Sequence, residues 1–296
     1  MTTSTQTVSV PHLGGSEVGY RFGAPYNPDL PTLVMSNSFS TCADLYRPQF
    51  GDAELMGTAN LLALELFGHG ATRAGYSQFT YWDSAIANLE AMDALGIPQA
   101  FVLGTSQGGW IAARMAMLAP EKIKGIIPLG TSMDSETQRS RDLGCWDGIE
   151  FCTPSIEQLG ETVGDDWVVP TEFVDAVLAA GLGDNVPDEE RAFWHGTHQR
   201  NYTGDDGRKR LLISTINLRD RDGLQARLPS IQCPVLWLQG TADTVYSVAN
   251  AQEEIQMFTN SADAELRIID DGQHFLSASD PGVVNSAAVE FISRWN

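Results

Sequence analysis

The residue of this sequence best suited to nucleophilic chemistry is a serine between two glycines. The segment Gly104-Thr-Ser-Gln-Gly108 follows an apolar run at 99–103 and precedes a helix-prone run at 110–117. A G-x-S-x-G sequence between a strand and a helix is typical of a nucleophile elbow, a sharp turn that lifts the serine hydroxyl above the edge of a sheet. Glycine suits both flanking positions because a side chain in so tight a turn would collide with its neighbours. The pattern predicts that Ser106 is a nucleophile.

A serine nucleophile requires a base that takes its proton and an acid that orients the base. His274 fits the base, because it lies in a loop just beyond the last apolar run of the chain. Asp243 fits the acid, because it directly follows another such run, at 235–238. Asp134 is an alternative acid, although a helix-capping role explains it better. We therefore predict a catalytic triad of Ser106, His274 and Asp243.

Such a triad also needs fixed N–H groups that stabilise the negative charge on the substrate oxygen. The amide of Gln107, directly after the nucleophile, is one expected donor. The second is expected from the loop after the apolar run 32–35, where we assign the Phe39 amide, with Ser38 as the neighbouring option. An ordinary turn at the end of a strand is the simpler interpretation of this loop.

The elements that must position these residues alternate along the chain. Two β-rich segments, 6–10 and 17–22, flank the pair Gly14-Gly15 and predict a hairpin. Short apolar runs of the kind found in buried parallel strands follow, and three segments have helical periodicity. The runs are 32–35, 61–64, 100–103, 125–129, 235–238 and 266–269, and the helical segments are 82–95, 110–118 and 283–295. This alternation predicts an α/β fold with a mostly parallel sheet flanked by helices.

The alternation is interrupted once, between about 131 and 229, where the sequence is acidic, helix-prone and rich in aromatic residues. We predict an inserted helical cap at 134–229 between two parts of one core, 1–133 and 230–296. Trp146 and Trp194 of the cap, together with Trp110 of the core, are expected to contact a hydrophobic substrate. Packing of the cap itself is the competing explanation for such aromatic residues.

Composition narrows the set of partners. A formal net charge of −20 over 296 residues disfavours nucleic acids and anionic membranes. No apolar run is long enough to cross a bilayer, and the first residues lack the features of a signal peptide, so a cytoplasmic location is expected. Four cysteines without ligand spacing, and the pair His195 and His198 without a third ligand, predict no metal. We expect a small-molecule substrate and no cofactor, and the sequence leaves the oligomeric state open.

Taken together, these motifs resemble the α/β-hydrolase superfamily over nearly the whole chain. The elbow, the acid loop and the histidine loop occur in the order of that family, and Phe67-Gly-His-Gly70 sits where a similar motif is expected. The loop Met35-Ser-Asn-Ser-Phe-Ser-Thr41 is similar to the Ser-Asn-Ser-Leu-Gly-Thr loop of 3-oxoadipate enol-lactonases, and Leu45-Tyr-Arg-Pro-Gln49 is similar as well. The sequence departs from those enzymes at 65–67 and at Gln107.

This resemblance implies hydrolysis of a carboxylic ester or lactone through an acyl-enzyme intermediate. Related enzymes use the same residues to hydrolyse a carbon–carbon bond in a β-diketone or dienoate, so that reaction is an alternative. A small-ligand receptor without turnover is a second alternative. Families with an aspartate nucleophile, such as epoxide hydrolases and haloalkane dehalogenases, are disfavoured because Ser106 occupies the elbow.

Overall fold

The computed structural model describes residues 4–296 and is built around one eight-stranded sheet. The strand order is β1-β2-β4-β3-β5-β6-β7-β8. The first two strands form an antiparallel hairpin, β2 pairs antiparallel with β4, and all later pairings are parallel. The strands are β1 Gln6–Val10, β2 Ser16–Phe22, β3 Thr32–Ser36, β4 Asn60–Leu64, β5 Ala100–Thr105, β6 Ile123–Leu129, β7 Val235–Gly240 and β8 Ala264–Ile269.

Helices cover both faces of this sheet, which is why its central strands are apolar along their whole length. Side chains alternate across β3, with Val34 in the hydrophobic cluster on one face and Leu33 and Met35 in the cluster on the other. The helices are α1 Arg47–Phe50, α2 Ala53–Thr58, α3 Tyr81–Ala94, α4 Gln107–Leu118, α5 Gln138–Asp142, α6 Gly148–Leu159, α7 Thr171–Leu182, α8 Asp188–Asn201, α9 Gly204–Asp220, α10 Val248–Ile255, α11 Leu276–Ser279 and α12 Pro281–Trp295. The predicted mostly parallel α/β architecture is confirmed.

Between β6 and β7 the chain forms the five helices α5 to α9. Its entry and exit are joined by two contacts. The Leu224 amide donates a hydrogen bond to the Met133 carbonyl at 2.7 Å, and Arg221 forms an ion pair with Glu136 at 2.7 Å. The side chains of this pair are only 1% and 3% exposed, so the start and the end of the inserted segment are connected by a buried ion pair.

Among residues 4–296, no helix combines the length and the apolar character needed to cross a membrane. The four cysteines are free thiols.

Candidate active site

Ser106 lies in a strained turn between β5 and α4. Its backbone φ is 54° and its ψ is −119°, a combination that non-glycine residues rarely adopt. Two hydrogen bonds from neighbouring segments hold it there. The Ser106 amide donates to the Leu129 carbonyl at 2.8 Å, and the Thr131 hydroxyl donates to the Ser106 carbonyl at 2.8 Å. The sheet and the loop after β6 thus fix the backbone that presents this hydroxyl.

The glycines of the elbow permit a close approach of backbone segments. A methyl group at Gly104 would overlap the carbonyl of Gly108, and one at Gly108 would overlap the carbonyl of Ser36 at the end of β3. These contacts leave no room for a Cβ atom. They explain why the sequence G-x-S-x-G is needed where α4 starts against two strands.

His274 and Asp243 lie beside Ser106 in a continuous line of hydrogen bonds. His274 Nε2 is 2.9 Å from Ser106 Oγ, and His274 Nδ1 is 3.0 Å from Asp243 Oδ2. Because an ionised carboxylate only accepts hydrogen bonds, Nδ1 carries the proton of a neutral imidazole and Nε2 has a free lone pair. Ser106 and His274 are each 4% exposed. The arrangement allows His274 to take the hydroxyl proton.

The carboxylate of Asp243 accepts four hydrogen bonds. Its Oδ1 accepts from the Val245 and Tyr246 amides at 2.8 and 2.9 Å, and its Oδ2 accepts from Gln239 Nε2 at 2.8 Å as well as from His274. The side chain is 0% exposed. These donors hold the carboxylate in one orientation toward the imidazole.

Asp134, the alternative acid, lies elsewhere. It accepts hydrogen bonds from the Ser135 amide and the Thr137 hydroxyl, both at 2.8 Å, and forms an ion pair with Arg139 at 3.3 Å. These contacts order the loop before α5, and none of them involves His274. The structure therefore brings Asp243, and not Asp134, to the histidine.

The two amides assigned to an oxyanion hole belong to the residue directly after Ser106 and to the loop that follows β3. Gln107 is the first residue of α4, so its N–H lacks an acceptor within the helix. The Phe39 N–H belongs to the buried loop 36–41, which starts at the last residue of β3. Neither amide donates a hydrogen bond to any residue in the described part of the chain.

The loop 36–41 is held by Asn37 from within. Asn37 Nδ2 donates to the Ser38 and Thr41 carbonyls at 2.9 and 3.1 Å, while its Oδ1 accepts from the Leu66 amide at 3.0 Å. The asparagine thus replaces the backbone hydrogen bonds that this irregular segment lacks.

A histidine of α8 also supports this loop. Ser40 adopts a positive φ of 57°, and its hydroxyl is 3.1 Å from His198 Nε2. His198 Nδ1 donates to the Trp194 carbonyl at 2.9 Å, so Nε2 accepts from Ser40. Burial lowers the pKa of His198 to about 4, which keeps the ring neutral. The sequence pattern did not predict this contact for His198.

The side chain of Gln107 is fixed by two further partners. Tyr81 Oη donates to Gln107 Oε1 at 3.1 Å, and Gln107 Nε2 donates to His69 Nε2 at 3.0 Å. His69 Nδ1 donates to the Phe67 carbonyl at 2.8 Å, and burial lowers its pKa to about 4. The Phe67-Gly-His-Gly70 motif was a sequence signal for this contact, but its partner could not be read from the pattern.

Ser106 and His274 open onto a narrow, mostly apolar cavity. Its volume, measured as the room for the centre of a water-sized sphere, is about 30 Å³, enough for about two water molecules. The lining combines the loop 36–41, the loop around His274, the loop that carries Asp243 and the inserted segment between β6 and β7. It consists of Ser38, Phe39, Ser106, Trp146, Phe151, Val177, Ala180, Leu218, Val245, Tyr246, His274 and Phe275.

Only one of the three tryptophans expected to contact substrate belongs to this lining. Trp146 is part of it, whereas Trp110 and Trp194 are not. Trp110 is 0% exposed and packs 5.3 Å from the Tyr246 ring, centroid to centroid. Trp194 is 1% exposed, and its Nε1 donates to Glu190 at 2.8 Å. Both rings are buried in the protein interior and lie outside the lining of this cavity.

Comparison with known proteins agrees with this architecture. A family model described as alpha/beta hydrolase fold matches residues 31–144. A relative from Stutzerimonas stutzeri, provisionally named carbamate hydrolase RutD, is 21% identical over 276 residues, covering 93% of this chain and 96% of the relative.

Two solved structures have the same fold. A thermophilic esterase from Thermogutta terrifontis has a TM-score of 0.79 at 16% identity, with 98% of each chain covered. The enol-lactonase from Burkholderia xenovorans has a TM-score of 0.76 at 22% identity, covering 97% of this chain and 100% of that one.

No three histidine, cysteine or acidic side chains between residues 4 and 296 are grouped so that they could hold a metal ion. The site instead consists of a serine, an imidazole and a carboxylate in hydrogen-bonded sequence at the carboxyl edge of a mostly parallel sheet. The match to the family model over residues 31–144 and the similarity to these solved structures show that the chain has the α/β-hydrolase fold.

Proposed function

We propose that this protein is a serine hydrolase that cleaves a carboxylic ester or lactone of a small hydrophobic molecule. The observation that carries the proposal is the 2.9 Å contact between Ser106 Oγ and His274 Nε2, with Asp243 3.0 Å behind the imidazole. A neutral serine is a weak nucleophile, and this contact is the means by which its hydroxyl is activated.

In the first half of the reaction, Ser106 Oγ forms a bond to the carbonyl carbon while its proton moves to His274 Nε2. The carbonyl π electrons move onto the oxygen, which becomes an oxyanion held by the Phe39 and Gln107 amides. Collapse of this intermediate breaks the bond to the alkoxy oxygen, which takes the proton from His274. An alcohol leaves, or the lactone ring opens, and the acyl group remains on Ser106.

In the second half, water gives a proton to His274 Nε2 and attacks the acyl carbon. The second tetrahedral intermediate collapses, Ser106 Oγ recovers the proton, and the carboxylic acid is released. Asp243 stabilises the imidazolium in both halves and keeps its own charge. The sequence of steps balances with water as the only co-substrate.

The wall of the cavity supports an uncharged substrate. Apart from Ser106 and His274, its side chains are aromatic, aliphatic or hydroxyl-bearing, and no lysine, arginine, aspartate or glutamate contributes to it. An unpaired carboxylate would be buried here without a counter-ion, at a cost of several kcal/mol. Neutral esters, lactones and carbamates fit this wall better than acids that carry a second carboxylate.

The space beside Ser106 also suggests how the substrate enters. The cavity has room for about two water molecules, which is less than an acyl group with its leaving group needs, so we infer that side chains of the lining shift when the substrate binds. We propose that residues 134–229 act as a cap, since Trp146, Phe151, Val177, Ala180 and Leu218 of that segment line the cavity.

The proposal is tested with a panel of neutral esters and lactones of increasing acyl length, together with an O-alkyl carbamate. We expect hydrolysis of at least one short hydrophobic substrate, with an alcohol or hydroxy acid as the product, and a loss of at least about 10³-fold in kcat for Ser106→Ala. Formation of a ketone or enol beside the acid would instead assign carbon–carbon bond cleavage. Full activity of Ser106→Ala would refute the serine mechanism.

A further inference from the structure

The loop 36–41 carries four hydroxyl groups, and three of them have a partner in the protein. Ser36 Oγ accepts from Asn88 Nδ2 at 3.2 Å, and Thr41 Oγ1 donates to the Ser38 carbonyl at 2.8 Å. The Ser40 hydroxyl bonds to the histidine of α8 described above. The hydroxyl of Ser38 is the exception, because no residue in the described chain forms a hydrogen bond with it.

This unpartnered hydroxyl is fully buried. Ser38 is 0% exposed, and its Oγ is among the buried polar atoms that have no partner. A buried hydroxyl without a hydrogen bond is unfavourable, so its presence calls for a reason. A serine kept at such a position is readily explained by a partner that arrives with the substrate.

The location of Ser38 indicates which partner that would be. Ser38 lines the same cavity as Ser106 and His274 and directly precedes Phe39, whose amide is free to bind a ligand. Most of the remaining wall is apolar. The substrate atoms that need hydrogen bonds near Ser38 are therefore the oxygens of the reacting acyl group.

Two other residues of the lining also carry buried polar atoms without a partner, Trp146 Nε1 and Tyr246 Oη. Trp146 belongs to the inserted segment, and Tyr246 belongs to the loop that carries Asp243. Ser38 differs from them because it is next in sequence to an amide already assigned to the oxyanion.

We propose that the Ser38 side-chain hydroxyl donates a hydrogen bond to an oxygen of the reacting acyl group, as a third donor beside the Phe39 and Gln107 amides. This inference rests on the proposed function. A hydroxyl rotates about its Cβ–Oγ bond, so it can follow the oxygen as the planar carbonyl becomes tetrahedral. The hydrogen bond strengthens as negative charge develops on the oxygen. Its loss should therefore lower kcat more than it changes KM.

The test compares Ser38→Ala with Ser36→Ala on a neutral ester that the wild-type protein hydrolyses. We expect Ser38→Ala to lower kcat by about 10- to 100-fold, with little change in KM, because one donor to the transition state is lost. Its melting temperature should equal or exceed that of the wild type, because a buried hydroxyl without a partner has been removed.

Ser36→Ala is the matched control, since it deletes a hydroxyl from the same loop that has a protein partner and lies outside the cavity lining. It should lower the melting temperature and leave kcat within about threefold of the wild type. Ser38→Ala should thus lose activity without losing stability, and Ser36→Ala should lose stability without losing activity.

The proposal is overturned if Ser38→Ala keeps the wild-type kcat, or if its kcat falls only together with its melting temperature, as expected of a structural role. A change confined to KM would also overturn it. If the wild-type protein hydrolyses no ester, lactone or carbamate of the panel, the proposed function fails first. Wild-type hydrolysis with an unaffected Ser38→Ala variant removes the Ser38 proposal alone.

Discussion

Replacing Asp243 by asparagine changes one carboxylate oxygen into an NH₂ group, so one end of the side chain becomes a hydrogen-bond donor instead of an acceptor. Asp243 Oδ1 accepts from two backbone amides, which cannot become acceptors, so the oxygen of the new amide must face them. Its NH₂ group then faces Gln239 Nε2 and His274 Nδ1. Both of these atoms are donors in the wild-type protein, and three donors would meet at one point.

The imidazole can relieve this conflict by changing its tautomer. If His274 moves its proton from Nδ1 to Nε2, Nδ1 accepts from the asparagine, but Nε2 loses the lone pair that takes the Ser106 proton. Gln239 keeps a second acceptor, the Tyr246 carbonyl at 2.8 Å, and is the less affected partner. The change therefore disables the base while leaving the fold in place.

The expected loss in kcat is about 10⁴-fold, the effect of the same change in serine proteases, which corresponds to about 5.5 kcal/mol of activation free energy. Hydrolysis of a neutral nitrophenyl ester followed at 400 nm, with thermal unfolding measured in parallel, gives both quantities. We expect the free energy of unfolding to fall by only about 1–3 kcal/mol, because two of the four hydrogen bonds are kept.

Asp134→Asn is the matched control, since Asp134 also follows a strand, but its carboxylate bonds to the loop before α5 and to Arg139 of that helix. It should retain activity. A folded Asp243→Asn protein with more than about a tenth of the wild-type kcat would refute the reasoning, because a wrong tautomer cannot support turnover at that rate. Loss of activity in Asp134→Asn would point to a different acid.

Three further predictions concern the supports of the site. Gln107→Met removes the acceptor of Tyr81 and the donor to His69; it should lower the free energy of unfolding in urea by about 2–4 kcal/mol, and an unchanged value would show that these buried bonds contribute nothing. Gly108→Ala places a methyl group against the end of β3; it should destabilise the protein by about 1–3 kcal/mol and reduce kcat, and wild-type values for both would contradict the close packing of the elbow. Burial raises the pKa of Glu254 from 4.5 to about 7. The contribution of this group to stability is complete below pH 4.5 and is lost as the pH rises through about 7, so between about pH 5 and about pH 8 the wild type should lose more unfolding free energy than Glu254→Gln. Equal losses in the two proteins would show that Glu254 does not cause this pH dependence.

The residues of the site were predictable from the sequence because each follows a strand end. Runs of mostly apolar residues mark strands at 100–103, 235–238 and 266–269, and in a parallel sheet the polar residues that follow such strands meet at one edge. Ser106, Asp243 and His274 were found in this way, and they lie within hydrogen-bond distance of one another along the line described above.

The cavity wall was less predictable. Trp110, Trp146 and Trp194 have the same chemical character in the sequence, yet only Trp146 reaches the cavity. Whether an aromatic side chain reaches the cavity or the protein interior depends on packing between elements distant in sequence, and the local sequence pattern does not reveal it. The role of His198 was missed for the same reason, since its partner Ser40 is 158 positions away.

The most direct test of the account is the reaction of the folded protein with a fluorophosphonate, which phosphonylates a serine only where a base activates it. We predict one adduct per chain, mapped by peptide mass spectrometry to Ser106, with loss of hydrolytic activity in proportion to labelling. Ser106→Ala should remain unlabelled. A folded wild-type protein that is not labelled at Ser106, and that hydrolyses esters equally well before and after exposure to the reagent, would contradict the central claim.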